Sequence, residues 1–206
     1  ASRKPSKGLV DYLLTGPVAI VSQIEQKKLE FTISDYKAVT DSITFDINRF
    51  SSASFESISS VSRLTNIPKS AAWIVISTYY AAYFAGHALL RIFGTSCSNI
   101  DTTTARHFTS IADTYGQRNG VTIAAGYYAA RIDRSSSTIK IESMGDKGVH
   151  EAFWQEFLAA IKKTSEHVLG LDDPSGNNQI VYLKLSNLIR IITKNGKNGG
   201  NWLSFV

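Results

Sequence analysis

Ser77-Thr78-Tyr79-Tyr80-Ala81-Ala82-Tyr83-Phe84-Ala85-Gly86-His87-Ala88-Leu89-Leu90 runs without a carboxylate or a lysine, and its reading decides the fold. Thr78, Ala81, Ala82, Ala85 and Ala88 recur at spacings of three and four, so one side of a helix is built from small residues that let a second helix come close. Trp73, Ile76, Tyr80 and Phe84, with Tyr79, Tyr83 and Leu90, supply bulky packing rows. The predicted helix opens at Asn66-Ile67-Pro68, where Asn66 can cap and Pro68 loses nothing in the first turn, and it runs from about residue 69 to 93 before Gly94 stops it. A helix so poor in charge belongs at the centre of a mainly α fold. A membrane span is disfavoured, because Ser77, Thr78, Tyr79, Tyr80, His87 and Arg91 would be costly in lipid.

Outward from this helix the signals weaken. Residues 9–33 alternate short apolar clusters with Gly8, Gly16 and Pro17 and read as broken helical pieces. Between residues 34 and 63, Tyr36, Val39, Ile43, Phe45, Ile47 and Phe50 follow helical spacing despite many Ser and Thr. Residues 95–104 read as a polar loop, and 106–115 as a short helix. Residues 121–131 and 138–142 carry β-branched and aromatic side chains around the turn chemistry of Asp133-Arg134-Ser135-Ser136-Ser137, which predicts a small β-hairpin excursion at 121–142.

Gly148 and Gly170 bracket a second clear helix on Phe153, Trp154, Phe157, Leu158, Ile161 and Val168. Residues 180–192 predict a last amphipathic helix, with Lys194-Asn195-Gly196-Lys197-Asn198-Gly199-Gly200 as a flexible basic turn. Asn201-Trp202-Leu203-Ser204-Phe205-Val206 looks like the cap and first turn of another helix, so the natural chain is expected to continue past Val206. The expected organisation is an N-terminal helical extension over 1–65 and a helical bundle over 66–206.

Composition bounds function only loosely. With 43% hydrophobic and 19% charged residues the 206-residue chain can bury a real core. A net charge of +5 favours an anionic partner such as a phosphate backbone. The single Cys97 forms no internal disulfide, and no Cys/His cluster has zinc spacing, so no metal or other cofactor is expected and a reducing cytoplasm is the default. Phosphate loops, nucleophile elbows, zinc-protease and dinucleotide signatures are absent from the sequence.

The run Tyr79-Tyr80-Ala81 to Ala88-Leu89-Leu90 resembles the long helix of HEPN-type domains, and Gly148-Val149-His150-Glu151-Ala152-Phe153-Trp154 and Asn201-Trp202-Leu203-Ser204 are similar to elements of a less-characterised HEPN-like group. The resemblance spans residues 70–206. It implies a helical bundle, usually a homodimer, from prokaryotic antiviral defence or toxin–antitoxin systems, in which an Arg-x(4–6)-His motif from each subunit cuts RNA without metal. An antitoxin or effector protein is a further partner that it implies. None of His87, His107, His150 and His167 has an Arg five to seven positions before it, so the motif is missing from this chain. In the family it lies on a helix that would begin where this chain stops.

Candidate site residues follow from spacing and charge. His87 and Arg91 stand four apart on one helical face and could converge on a phosphate or on a carboxylate; the plainer alternative is a hydrogen-bonded core histidine beside a helix-end cation. Arg190, Lys194 and Lys197 can share a basic helix face for RNA or form a solvated surface. Tyr127 and Tyr128 beside Arg131 and Arg134 could stack on bases, or pack as strand residues. Arg106-His107 and His150-Glu151 read more readily as surface and helix-start residues. Two expectations compete: a metal-independent endoribonuclease, and a non-catalytic HEPN-like RNA- or protein-binding dimerisation module. An unrelated helical adaptor is the third.

Overall fold

A computed structural model describes the chain over residues 7–62, 70–171 and 176–197. Among these are six helices and one four-stranded antiparallel sheet, a mainly α protein with a small β portion. The order is α1 (Leu9–Thr15), β1 (Lys28–Thr32), α2 (Tyr36–Ser62), α3 (Ala71–Ile92), β2 (Thr95–Ile100), α4 (Thr102–Thr114), β3 (Gly126–Asp133), β4 (Thr138–Ser143), α5 (Val149–Leu169) and α6 (Asn177–Lys197).

The chain divides into two compact units, residues 1–56 with 83–147 and residues 57–82 with 148–206. The first unit thus joins residues of the expected N-terminal extension to those of the sheet. Helix periodicity marks local structure, and it does not reveal which distant segments a chain brings together.

In the first unit the strands lie in the order β1-β4-β3-β2. The hairpin expected at 121–142 is its β3–β4 centre, and the two outer strands are corrections. β1 lies in the stretch read as broken helix, and β2 in the stretch read as a loop. Thr95-Ser96-Cys97-Ser98-Asn99-Ile100 has little intrinsic strand preference, but every residue of it is paired along β3, from Thr95 with Arg131 to Ile100 with Gly126. The free edge of β1 is covered by residues 19–21, which exchange Val21 N–H to Glu30 O at 3.1 Å and Thr32 N–H to Ala19 O at 2.8 Å.

Alternation sorts the sheet into two faces. Leu29, Phe31, Ile139, Ile141, Tyr128 and Ala130 join Leu9 and Leu13 of α1 and Phe108 of α4 in one buried cluster. Phe108 meets Phe31 edge-on at 5.2 Å. The other face carries alternating charge: Glu142 pairs with Arg131 at 2.9 Å and Lys28 at 3.6 Å, and Lys140 pairs with Asp133 at 3.0 Å. Half-exposed pairs of this kind contribute a few tenths of a kcal/mol each, so they favour register more than stability.

The Asp133 turn forms as its sequence predicts. One carboxylate oxygen accepts from Ser135 N–H at 3.0 Å, Ser135 O–H at 2.6 Å and Ser136 N–H at 3.3 Å.

In the second unit α5 begins after Gly148 and ends at Gly170 as expected, and α6 packs on it. α6 extends to Lys197, beyond the expected end near 192 and through Gly196. The expected cap at Asn66-Ile67-Pro68 and the helix start at Asn201 lie outside the described residues.

Candidate functional site

α2 and α3 build the most polar part of the interior. The inward stripe of α2 runs Val39, Ser42 and Asp46 at spacings of three and four, so a carboxylate stands where an apolar residue would be ordinary. Burying an unpaired carboxylate is expensive, and three groups answer it. Arg91 Nε lies 3.4 Å from one Asp46 oxygen, Arg49 donates to the other at 2.9 Å, and Leu9 N–H, in the first turn of α1, donates to Asp46 Oδ2 at 3.2 Å. Asp46 therefore caps α1 from a distance of 37 residues.

His87 and Arg91 close the cluster. Arg91 donates from one terminal nitrogen to the His87 carbonyl at 3.0 Å and to His87 Nδ1 at 3.1 Å. A guanidinium only donates, so Nδ1 carries the lone pair and a neutral His87 holds its proton on Nε2. The imidazole stacks on Phe50 at 4.8 Å, and the guanidinium sits 4.3 Å from the same ring centre. Burial pulls the Arg91 guanidinium below its ordinary value, and the Asp46 carboxylate opposes that fall.

His87 and Arg91 are each 3% exposed. They converge on a carboxylate, as four-residue spacing allowed, but that carboxylate belongs to this chain. Asp46 was not singled out in the sequence. Its signal was an acid at helical spacing within the apolar row of Val39, Ile43 and Phe50.

The remaining candidates are dispersed. Tyr128 is fully buried and donates to Ala124 O at 2.7 Å, and Tyr127 is buried on the opposite face of the sheet, where desolvation and then the nearby Tyr83 push its phenol well above the ordinary value. Neither ring faces solvent, so neither stacks on a base. Arg131 holds Glu142. His107 donates from Nε2 to Leu14 O at 3.1 Å and so ties α4 to the end of α1. Arg190 is exposed on α6, which also carries positions 194 and 197.

A second polar cluster lies in the other unit, where Tyr79 of α3 meets α5. Trp154 Nε1–H donates to the Tyr79 hydroxyl at 3.2 Å, and the same hydroxyl lies 2.9 Å from Nδ1 of His150, which is exposed at the first turn of α5. Burial raises the Tyr79 phenol above its usual value, partly offset by the Trp154 hydrogen bond, so the hydroxyl keeps its proton.

Other sites are not built. Among the described residues no group of three His, Cys, Asp or Glu side chains could hold a metal ion, and no helix is long and apolar enough to cross a membrane. The cavity between Leu9, Leu13, Phe108, Tyr128 and Ile141 is apolar and has room for about one water molecule. No protein-family model, curated protein or solved structure matches the chain.

Proposed function

We propose that this chain is a HEPN-like module, a helical bundle with an attached sheet, that binds RNA and dimerises in the cytoplasm as part of a prokaryotic defence or toxin-type system. Within it, His87 and Arg91 are structural rather than catalytic. The observation that carries this reading is the inward closure of that pair on Asp46 and Phe50. Cutting RNA through these two side chains would require both to leave the interior, abandoning a buried charge pair at a cost of about 3–5 kcal/mol. The surplus of positive charge supports an RNA partner, and the exposed Ile180, Val181 and Leu183 of α6 support a second copy of the chain.

The test is fluorescence anisotropy with a labelled single-stranded RNA in excess chelator, at several salt concentrations, with gel analysis of the same samples and sedimentation of the protein alone. The expected result is an affinity that falls linearly in log–log form with salt, intact RNA, and a dimer. RNA cleavage that disappears in His87→Ala would establish the endoribonuclease instead.

A further inference from the structure

The sequence contains three Asn-Gly pairs, Asn119-Gly120, Asn195-Gly196 and Asn198-Gly199. In such a pair the glycine amide nitrogen is not shielded by a Cβ, so it can close on the carbon of the asparagine side-chain amide. Folding decides which pairs are free to react. Asn195 and Gly196 lie within α6, and Asn198-Gly199 lies outside the described residues.

Asn119-Gly120 forms the exposed tip of the loop that follows α4. Both residues have positive φ, +44° at Asn119 and +72° at Gly120, and Val121 N–H donates to Arg118 O at 2.9 Å across them. Asn and Gly are the residues that tolerate two successive left-handed positions, which is why the chain turns here. The arms of the loop are pinned and the tip is not. Ile24 N–H donates to Gln117 O at 2.9 Å, Ala124 N–H to Gln26 O at 2.9 Å, and Ile123 N–H to the Thr109 hydroxyl at 3.1 Å.

The reacting groups are lightly held. Among the described residues Gly120 N–H donates to no other group, and a Cβ built on Gly120 would meet nothing within 4 Å. The Asn119 side chain makes one long hydrogen bond, from Nδ2 to Gln23 Oε1 at 3.4 Å. Arg118 donates from Nε to Val121 O at 3.2 Å, which places a positive charge on the turn where the Gly120 nitrogen must become anionic. Ring closure needs the turn to open, and opening breaks a single backbone hydrogen bond at the surface.

We propose that Asn119 is a site of spontaneous backbone-directed deamidation. The Gly120 nitrogen gives up its proton and bonds to Asn119 Cγ, the Cγ–Nδ2 bond breaks, and Nδ2 leaves as ammonia with that proton. Water then opens the five-membered imide at either carbonyl, giving an aspartyl or an isoaspartyl residue at position 119. Nothing is oxidised or reduced. Either product lowers the net charge of +5 by one, and the isoaspartyl form puts an extra methylene into a turn whose two arms are pinned. The change is one-way and holds whether or not the chain binds RNA.

The test incubates the full chain, folded and in guanidinium chloride, in mildly alkaline heavy-oxygen water and maps its peptides by mass spectrometry. Heavy oxygen marks only the residues that convert during the incubation, and fragment ions separate the two products. In the folded chain Asn119 is expected to convert within about tenfold of its rate in denaturant, the protection that one exposed turn hydrogen bond supplies. A folded rate more than about tenfold below the denatured one shows that the turn shields the amide and overturns the site. Gly120→Ala is compared in denaturant, where the strain of alanine at positive φ no longer applies, and is expected to slow conversion of Asn119 because its Cβ shields the nitrogen. Conversion of that variant at the wild-type rate would mean direct hydrolysis of the side chain and would overturn the cyclic route.

Discussion

Asp46 and Arg91, 45 positions apart in sequence, meet at 3.4 Å with their side chains 5% and 2% exposed. Each charge lost most of its hydration on folding, and each recovers part of that cost only through the other and its hydrogen bonds. Asp46 also holds the N-terminus of α1, and Arg91 also holds His87, so one ion pair ties α1, α2 and α3 of the first unit.

Arg91→Met leaves the Asp46 carboxylate in the interior with the mostly exposed Arg49 as its remaining cation. It is expected to lower unfolding free energy by about 3 kcal/mol. Asp46→Asn in the Arg91→Met background should recover part of that loss, since an amide is cheaper to bury than an unpaired charge. Urea unfolding of the two variants and the double variant measures this. Strictly additive losses would contradict the pairing.

Gly8 precedes α1 with ordinary backbone angles, yet a Cβ there would stand 2.6 Å from Asp46 Oδ1. Its requirement is space, not φ. Gly8→Ala is expected to destabilise by about 1–3 kcal/mol, and Asp46→Ala should make the same substitution nearly neutral. Thermal unfolding of the four-member cycle checks it, and a Gly8→Ala protein as stable as wild type would show that the carboxylate moves aside freely.

The Asp133 carboxyl is held well below the usual carboxylate range, first by the Ser135 hydroxyl, then by Lys140 and the Ser136 N–H. A folded-state value below the unfolded one means that the stabilisation is complete above about pH 4 and is lost as pH falls toward the folded value. Asp133→Asn should therefore be less stable than wild type at neutral pH, with the gap closing in acid. Urea midpoints for both proteins from neutral pH to about pH 3 test the sign. A gap that widens in acid would refute the assignment.

Much of the helical framework was legible. α3 and α5 were predicted to within two residues, because both pair long apolar periodicity with a terminal glycine, Gly94 and Gly170. The Asp133 turn was legible because its carboxylate bonds to atoms only two and three residues away. The strand identity of residues 95–100 was not, since nothing within Thr95-Ser96-Cys97-Ser98-Asn99-Ile100 distinguishes strand from polar loop, whereas Lys28-Leu29-Glu30-Phe31-Thr32 does alternate as a strand but is only five residues long among clusters broken by glycine and proline. The candidate site divided in the same way. His87 and Arg91 share one helix turn and were paired from spacing alone, whereas their burial, and the carboxylate that receives Arg91, come from α2.

The amino-acid order by itself set the long helices, the hairpin turn and the positive charge, because those depend on neighbours within a few residues or on composition. Tertiary structure alone decided that β2 is a strand, that Asp46 lies inside against Arg91, and that Tyr79 reaches His150 across 71 residues. These are contacts between segments far apart in the chain. Ladder pairing and desolvation act on what lies beside a residue in space, and no local pattern encodes that.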